Sequence, residues 1–433
     1  MPINSFVSPC LHVLVLCAAL SAVCVLTGAC NGNPEAERKV KLEGMFRGSK
    51  LDTGSLVRHW EMKTSALEKI EVRNDRHTSL SLGRSADSIF YVRLETNPDC
   101  LIGKIDKIYK DDHHLIIVDR ALSKEVFVFD ENGKFLNKIA ALGGGPHQYL
   151  HLSDAGVDFV RKQVTILDEE RRKLLYFGFD GQFIRSIALP LFVNYIEYPD
   201  GDTSMVWCNY DILNSHIPSL ENYGLFLAEP HGRILQKAFP FDPKTNEECS
   251  YWNINVLSKS SGNIYYNPKL SDYIFKVSPD SVEACYYLDF DGRSFSGEEL
   301  SHLTDEVYEK RMKEDDFLLF NGDYVINDDY VYCKILNKVK VFGCFYSKHL
   351  KKSVSFSAVN VDHPNAVLFN FPVSAYKNFF IAVLNASDIA TFRDKLSNLK
   401  KSPSVVNLYK SVRPEDNPVL MFYSFKTPSK QND

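Results

Sequence analysis

An internal repeat constrains the fold of this chain more than any other feature of its sequence. Residues 116–139 contain two apolar segments, a turn at 130–133 and a third apolar segment, and residues 164–187 repeat this order with a turn at 180–181. Phe135 and Phe183 occupy equivalent places in the two copies and lie 48 residues apart. A period of this length is typical of one four-stranded propeller blade. Asn, Asp and Gly at the turns indicate hairpins, because they tolerate the positive φ that tight turns require.

The rest of the chain predicts how many blades there are. Fainter strand-like copies follow at 195–235, 263–288, 324–342 and 366–383. Two segments have helical spacing instead: 296–316, and a second helix with Ser387 as N-cap and Ile389, Phe392, Leu396 and Leu399 on one face. Without these insertions, the strand-bearing sequence is long enough for about six blades. We therefore predict an all-β fold, a single six-bladed β-propeller of four-stranded antiparallel blades over residues 86–426, with two short helical insertions.

A ring of sheets must also be closed, because exposed strand edges promote aggregation. The alternating segment 89–94 and the apolar segment 419–425 lie at the two ends of the strand-bearing sequence. We expect them to complete one blade together.

The N-terminus has the pattern of an export signal. Residues 11–26 are almost continuously apolar, which is short for a membrane span and typical of a signal-peptide core. Leu26-Thr27-Gly28-Ala29-Cys30 then looks like the lipobox of a bacterial lipoprotein, although Thr27 replaces the usual leucine and no Lys or Arg precedes the apolar run. We predict a signal peptide over 1–30 with lipidation at Cys30; a plain cleaved signal and a single membrane anchor are the alternatives.

The location and the first part of the mature chain follow from this signal. The predicted location is the bacterial cell envelope, with a lipid anchor in the outer membrane as the chain's contact with the membrane. Residues 31–85 are polar and charged, and they predict a tether with little regular structure.

Several function classes are disfavoured by composition and motifs. The net charge of −5 gives no basic excess for binding nucleic acid. No zinc-ligand spacing is present, and the glycines at 143–145 lack the spacing and following helix of a nucleotide loop, so we predict neither a metal nor a cofactor. Cys333 and Cys344 are placed to face each other across a hairpin, but an even number of cysteines does not establish disulfides.

Six residues are candidates for ligand binding, and each has a structural alternative. His147 and Tyr149 follow the glycines at 143–145, where they either line the channel mouth or belong to a crossover between blades. Asp119 and Asp168 occupy equivalent places in the two copies, followed by Arg120 and Arg171. These four side chains either form a polar ring around the channel entrance or cap turns by hydrogen bonding to the backbone.

The same residues carry a resemblance to a known family. Leu94-Glu95-Thr96, Asp119-Arg120, Gly145-Pro146-His147-Gln148-Tyr149, Asp168 and Asp180-Gly181-Gln182-Phe183-Ile184 resemble the six-bladed β-propeller lipoproteins of Bacteroides-type bacteria, which are similar to NHL-repeat propellers. The resemblance covers residues 85–425 and implies a fold and an envelope location, with no settled reaction. The family loop usually has Gly and Glu where this chain has His147 and Gln148, so a role for that carboxylate cannot be transferred.

Two hypotheses for function follow. The first is a binding or scaffold module for a glycan, a peptide or an envelope protein. The alternative is a lyase or hydrolase with a polar, metal-assisted site in the central channel. An enzyme predicts acidic, His or Arg side chains converging within hydrogen-bonding reach in the channel. A binding protein predicts a narrow or water-filled channel, with its chemistry on the loop tips.

Overall fold

Six small sheets form the blades of a β-propeller, as the repeat predicts. The computed structural model describes residues 57–73, 78–199, 202, 204–209, 214–241, 253–338, 340–393 and 400–426. The predicted signal segment with Cys30, and the predicted tether as far as residue 56, lie outside the described residues.

Every blade has four strands in antiparallel order from the channel to the rim. The N-terminal segment contains β1 (Arg58–His59), β2 (Glu61–Lys63), β3 (Glu68–Glu71), β4 (Ser79–Ser81), α1 (Leu82–Ser85) and β5 (Ala86–Arg93). Blade 1 contains β6 (Lys107–Lys110), β7 (His114–Asp119), β8 (Glu125–Asp130) and β9 (Phe135–Ile139). Blade 2 contains β10 (Asp154–Asp158), β11 (Gln163–Asp168), β12 (Lys173–Gly178) and β13 (Phe183–Ala188). Blade 3 contains β14 (Tyr195–Glu197), β15 (Met205–Cys208), β16 (Tyr223–Ala228) and β17 (Ile234–Pro240).

The second half of the ring includes the helices. Blade 4 contains β18 (Leu257–Ser260), β19 (Asn263–Tyr266), β20 (Tyr273–Val277) and β21 (Ser281–Asp289), and is followed by α2 (Gly297–Ser301) and α3 (Asp305–Met312). Blade 5 contains β22 (Leu319–Ile326), β23 (Tyr330–Asn337), β24 (Lys340–Ser347) and β25 (Lys352–Phe356), and is followed by β26 (Ala358–Asn360). Blade 6 contains β27 (Ser374–Tyr376), β28 (Phe379–Leu384) and, after α4 (Ala386–Phe392) and α5 (Pro403–Ser411), β29 (Val419–Phe425).

The ring closes by pairing the two ends of the repeat region, which confirms the sequence prediction. Strand β5 is the outermost strand of blade 6 and pairs antiparallel with β29, with Arg93 opposite Val419 and Ile89 opposite Tyr423. Phe422 is buried and stacks on Phe90 with ring centroids 4.8 Å apart. Blade 6 therefore combines strands from both ends of the propeller sequence.

The segment before β5 differs from the sequence prediction. Strand β1 pairs parallel with β17, β2 and β3 pair parallel with β21, and β4 pairs parallel with β26. Trp60 and Ile70 are buried in this segment, with 3% and 0% of their surface exposed. Isolated apolar residues among charged ones gave no periodic signal. Strands β1, β2 and β3 form because the rims of blades 3 and 4 offer unpaired backbone groups, whereas β4 pairs with β26, which follows blade 5.

The turn glycines have a structural reason to recur. Gly133 and Gly181 have φ of +86° and +77°, and each connects the third and fourth strands of its blade. A Cβ at Gly133 would lie 2.3 Å from the carbonyl oxygen of Arg93, and one at Gly181 would lie 2.7 Å from that of Lys138. Both carbonyls belong to the outermost strand of the preceding blade, so only glycine fits where neighbouring blades touch.

The two helical insertions are present, and the described residues of each contain two short helices. In the first, Leu303 is buried against Phe295 and Phe317, and Ser296 caps α2 through a capping box with Glu299. The predicted N-cap of the second is wrong: α4 begins after Asn385, and Ser387 lies inside the helix. Ile389 is buried in the core of blade 6 as expected. Leu396 and Leu399 lie outside the described residues.

Cys333 and Cys344 are direct cross-strand partners on β23 and β24, as the sequence predicts, and both are buried free cysteines. Among the described residues, no helix has the length and apolar character of a membrane span.

Candidate functional site

The first strands of the six blades surround a central channel. We call the end where crossovers join successive blades the loop face, and the end where the first strand of a blade turns into the second the turn face. The six sequence-predicted ligand residues lie on the loop-face side, in or next to blades 1 and 2.

Asp119 is engaged by its own turn and a neighbouring loop. Its buried carboxylate accepts backbone N–H groups of Gly103, Lys104, Leu122 and Ser123 at 2.8–3.2 Å. Burial acts to raise the pKa of this carboxyl, but the backbone donors outweigh burial and hold its pKa below the ordinary value. This is the turn-capping alternative that the sequence left open.

Replacing Asp119 with asparagine is expected to lower the free energy of unfolding by about 1–3 kcal/mol at pH 7, because an amide NH₂ would face backbone donors. The folded pKa lies below the ordinary 3.8, so the contribution is full above that pH and is lost as the pH falls through the folded value. Urea unfolding of Asp119→Asn at pH 7 and pH 3 should therefore show a smaller difference from the wild type at pH 3. Asp87→Asn, at an exposed position of β5, is the control, and equal losses in the two variants would contradict the capping role.

Asp168, Arg171 and Tyr149 hold the crossover between blades 1 and 2. The Asp168 carboxylate accepts the backbone N–H of Leu150 at 2.7 Å. The Arg171 guanidinium donates to three backbone carbonyls of that crossover, those of Gly144, Gly145 and Gln148, at 3.0–3.1 Å. Tyr149 is fully buried, and its hydroxyl donates to the carbonyl of Lys124 at 2.7 Å. The glycine-rich segment is thus a braced crossover, and a ligand role for these three side chains stays a prediction.

The side chains of the two remaining candidates, His147 and Arg120, lie in different surroundings. His147 is exposed and stacks on Phe183, with ring centroids 4.1 Å apart. The Arg120 guanidinium donates to the carbonyl of Ser153 at 2.9 Å, and its Nη1 lies 3.7 Å from Asp154 Oδ1. The structure therefore does not bring the six residues together around one ligand position, and only Arg120 reaches the polar groups of the channel.

The channel itself contains a cluster that sequence reasoning missed. Lys107 Nζ, on blade 1, lies 2.7 Å from Asp154 Oδ1 on blade 2 and 3.3 Å from Glu197 Oε1 on blade 3. The Tyr109 hydroxyl donates to Glu197 at 2.5 Å and is also 2.7 Å from the carbonyl of Ala155. Asp154 and Glu197 are 0% and 1% exposed at the side chain, so these contacts are buried. We call Lys107, Tyr109, Asp154 and Glu197 the channel cluster.

The electrostatics of the channel cluster are dominated by burial. Burial raises the pKa of Glu197, while Lys107 and the Tyr109 hydroxyl act to lower it. Burial and the neighbouring Glu197 likewise raise the pKa of Tyr109 well above its ordinary value. Glu197 Oε2 is buried without a hydrogen-bond partner among the residues that the structure describes. A charged network of this kind is stable only while its charges compensate one another.

The cavity beside the channel cluster is small. It has a volume of about 50 Å³ and is lined by groups from five blades, including Lys107, Glu197, Lys259, Tyr324 and Ser374. This volume holds one or two water molecules. It is too small for a sugar ring or a peptide, so the centre of the ring is closed to such ligands in this conformation.

A larger pocket opens at the turn face, directly beyond this closed centre. We call it the mouth pocket. It has a volume of about 440 Å³ and is lined by the first turns of five blades: Lys110, Asp111 and Asp112 of blade 1, Phe159 and Val160 of blade 2, Lys259, Ser261 and Gly262 of blade 4, Asp328 of blade 5, and Tyr376 and Lys377 of blade 6. Val160 is 74% exposed, which is unusual for a branched apolar side chain. Small-ligand sites have volumes of roughly 300–1,000 Å³ and combine apolar surface with a few polar groups.

The sequence contained a weak signal for these sites. Lys107 and Glu197 are charged residues within short segments that are otherwise apolar or aromatic. Polar residues in the innermost strand of a blade are candidates for the channel. The pattern could not be used, because the innermost strands are short and the sequence does not show which of their residues face the axis.

The described residues contain no group of three His, Cys, Asp or Glu side chains that could hold a metal ion. His147 and His151 are neighbours on the crossover, and His151 pairs with Glu170 at 2.5 Å. Metal-assisted chemistry therefore has no ligand set within that part of the chain.

The fold and the site together define a six-bladed β-propeller with a closed polar centre and an open pocket at one mouth. The chain belongs to the family described as "Domain of unknown function (DUF4934)", whose sequence model matches residues 67–424.

Two solved structures are similar to this chain, and the first of them supports the same fold. The first is BF0058, a proposed exported protein of Bacteroides fragilis NCTC 9343. It matches with a TM-score of 0.65 at 16% identity, and the match covers 83% of this chain and 100% of that chain. A member of the duf4221 family from Bacteroides vulgatus matches with a TM-score of 0.47 at 9% identity, covering 79% of this chain and 97% of that chain. None of the curated proteins matches the chain.

Proposed function

We propose that this protein is a binding module of the bacterial cell envelope and that its ligand, a glycan or a peptide, occupies the mouth pocket. The observation that supports the proposal most is the position of this pocket. It lies on the propeller axis, where the first turns of five blades converge, and aromatic, apolar and charged side chains line it together. A rigid ring of sheets holds these turns, so the pocket is largely preformed.

The enzymatic alternative is supported by one observation, the channel cluster, because acid and base groups do converge there within hydrogen-bonding distance. However, Lys107 is already paired with both Asp154 and Glu197, and Arg120 lies 3.7 Å from Asp154. The adjoining cavity of about 50 Å³ cannot admit a sugar or a peptide bond to be cleaved. We therefore assign the channel cluster to holding blades 1, 2 and 3 together, and the binding function to the mouth pocket.

The envelope location rests on the signal pattern that ends at Cys30, together with the fold that this chain shares with the proposed exported protein of B. fragilis. Lipidation of Cys30 would keep the propeller at a membrane surface. Fatty-acid labelling of the chain and of a Cys30→Ser variant is the measurement that decides it.

A glycan and peptide array with residues 31–433 tests the binding function. Tyr376→Ala and Phe159→Ala should each reduce binding at least tenfold, because each removes an aromatic wall of the pocket, worth about 1.5 kcal/mol or more. His147→Ala, on the opposite face, is the matched control and should leave binding unchanged. Loss of binding in His147→Ala with retention in Tyr376→Ala would instead place the ligand on the loop face, as the sequence predicted.

A further inference from the structure

We propose that the mouth pocket recognises an acidic sugar unit of a glycan, with the carboxylate of the sugar bound by Lys110. This inference rests on the proposed function and specifies its ligand class. The inference follows from a difference between the charged side chains of the pocket: some already have partners within the protein, and Lys110 keeps hydrogen-bond donors for a ligand.

Lys110 is the available cation. Its ammonium group donates to the backbone carbonyl of Asp111 at 2.8 Å and lies 4.7 Å from the centre of the Tyr376 ring. Within the described part of the chain, no carboxylate lies within ion-pair distance of Lys110, so donors remain for a ligand. Burial lowers the pKa of Lys110, while the carboxylates of Asp111, Asp112 and Glu131 act to raise it, and a ligand anion would add to their effect.

The neighbouring charges are occupied. Lys377 Nζ lies 2.7 Å from Asp112 Oδ1, and the Tyr376 hydroxyl donates to the same carboxylate. The Asp111 carboxylate accepts the backbone N–H groups of His113 and His114 at 2.8 and 2.5 Å. Asp112 is therefore paired with a cation, whereas Asp111 is held by backbone donors and keeps its charge next to Lys110.

One carboxylate of the pocket is open, and it favours a sugar over a simple anion. Asp328 is exposed, and its side chain makes no hydrogen bond or ion pair to another described residue. Asp328 disfavours a phosphate, which carries one to two negative charges, more than a hexuronate, which carries a single carboxylate for Lys110 and several ring hydroxyl donors for Asp328. Phe159 adds aromatic surface for the C–H side of a sugar, and the Ser261 hydroxyl adds a polar group. The Tyr376 ring lies next to both Lys110 and Lys377, at 4.7 and 5.0 Å from the ring centre, and forms the wall beside them.

The test uses two pairs of sugars that differ only by oxidation of the C6 hydroxymethyl group to a carboxylate: galacturonate with galactose, and glucuronate with glucose, each as a short oligomer. Calorimetric titration of residues 31–433 should give roughly ten- to hundredfold tighter binding for at least one acidic member than for its neutral partner. Lys110→Met should abolish that preference, and Lys110→Arg should retain most of it. Lys134→Met, at an exposed position of the same blade outside the pocket, should leave it unchanged.

The outcomes separate this inference from the proposed function. Equal binding of acidic and neutral partners, or a preference that survives in Lys110→Met, would overturn the acidic-sugar inference, while binding that disappears in Tyr376→Ala would still support the mouth pocket. Binding of array peptides but of neither acidic oligomer would also overturn it. If no ligand binding responds to Tyr376→Ala or Phe159→Ala, both the inference and the proposed function fail. A thermal unfolding curve for each variant separates these results from misfolding.

Discussion

Replacing Lys107 with methionine is expected to destabilise the folded propeller by about 3–5 kcal/mol, because it removes the cation that pairs with two buried carboxylates and leaves Asp154 only the more distant Arg120, at 3.7 Å. Lys107 Nζ lies 2.7 Å from Asp154 and 3.3 Å from Glu197, on two successive neighbouring blades. Methionine preserves much of the side-chain volume, so the loss reports on charge rather than on packing. Urea unfolding at neutral pH measures it as a lower midpoint.

The nearby Lys104 provides a matched control. Its ammonium also pairs with an aspartate, Asp106, at 2.8 Å, but its side chain is 59% exposed. Lys104→Met should therefore change the free energy of unfolding by only about 0–1 kcal/mol. Adding Glu197→Gln to Lys107→Met should recover part of the loss, because it removes one of the uncompensated charges. A Lys107→Met variant no less stable than Lys104→Met would show that the channel cluster does not hold the ring together.

A chain that ends at Asn417 is expected to lose cooperative folding altogether. It lacks β29, whose seven residues are all buried between β28 and β5. Without β29, the outermost strand of blade 6 has no partner, the ring cannot close, and the apolar surface shared by blades 6 and 1 is exposed. Circular dichroism during heating should show no sharp transition, and size-exclusion chromatography should show aggregates.

The control for this truncation is a chain that ends at Lys426, which keeps the whole of β29. It should unfold at the temperature of the full chain. If the chain ending at Asn417 gave the same transition, closure by β5 and β29 would not be what stabilises the propeller. Phe422→Ala provides an intermediate case, because removing its buried ring should cost about 3–5 kcal/mol without removing backbone pairing.

The blades could be predicted where the local pattern and the global fold agree. Blades 1 and 2 repeat the same apolar strands and the same turn glycines, and the glycines recur because a Cβ at Gly133 or Gly181 would meet the preceding blade. The segment with β1–β4 could not be predicted, because its strands have no partner near them in sequence. Strands β1 to β3 pair in parallel with the rims of blades 3 and 4, and β4 pairs in parallel with β26, all far along the chain.

The candidate site shows a similar division. Asp119, Asp168, Arg171 and Tyr149 were recognisable as special positions, but a capping carboxylate and a ligand-binding carboxylate have the same sequence signature. Lys110 and Tyr376 have no local signature, since they lie far apart in the chain and meet only where blades 6 and 1 adjoin. Lys107 and Glu197 meet in the channel for the same reason.

By itself, the sequence determined the blade as a repeating unit, the closure of the ring by its two ends, and a signal pattern that ends at Cys30. These features depend on residues close together in the chain, or on the requirement that a sheet edge find a partner. Only the tertiary structure decided that Asp119, Asp168, Arg171 and Tyr149 brace a turn and a crossover, that the channel centre contains buried ion pairs beside a small cavity, and that a larger pocket lies at the turn face. The physical reason is that burial, charge compensation and cavity shape depend on side chains from five or six blades, and their distances are set by the ring as a whole.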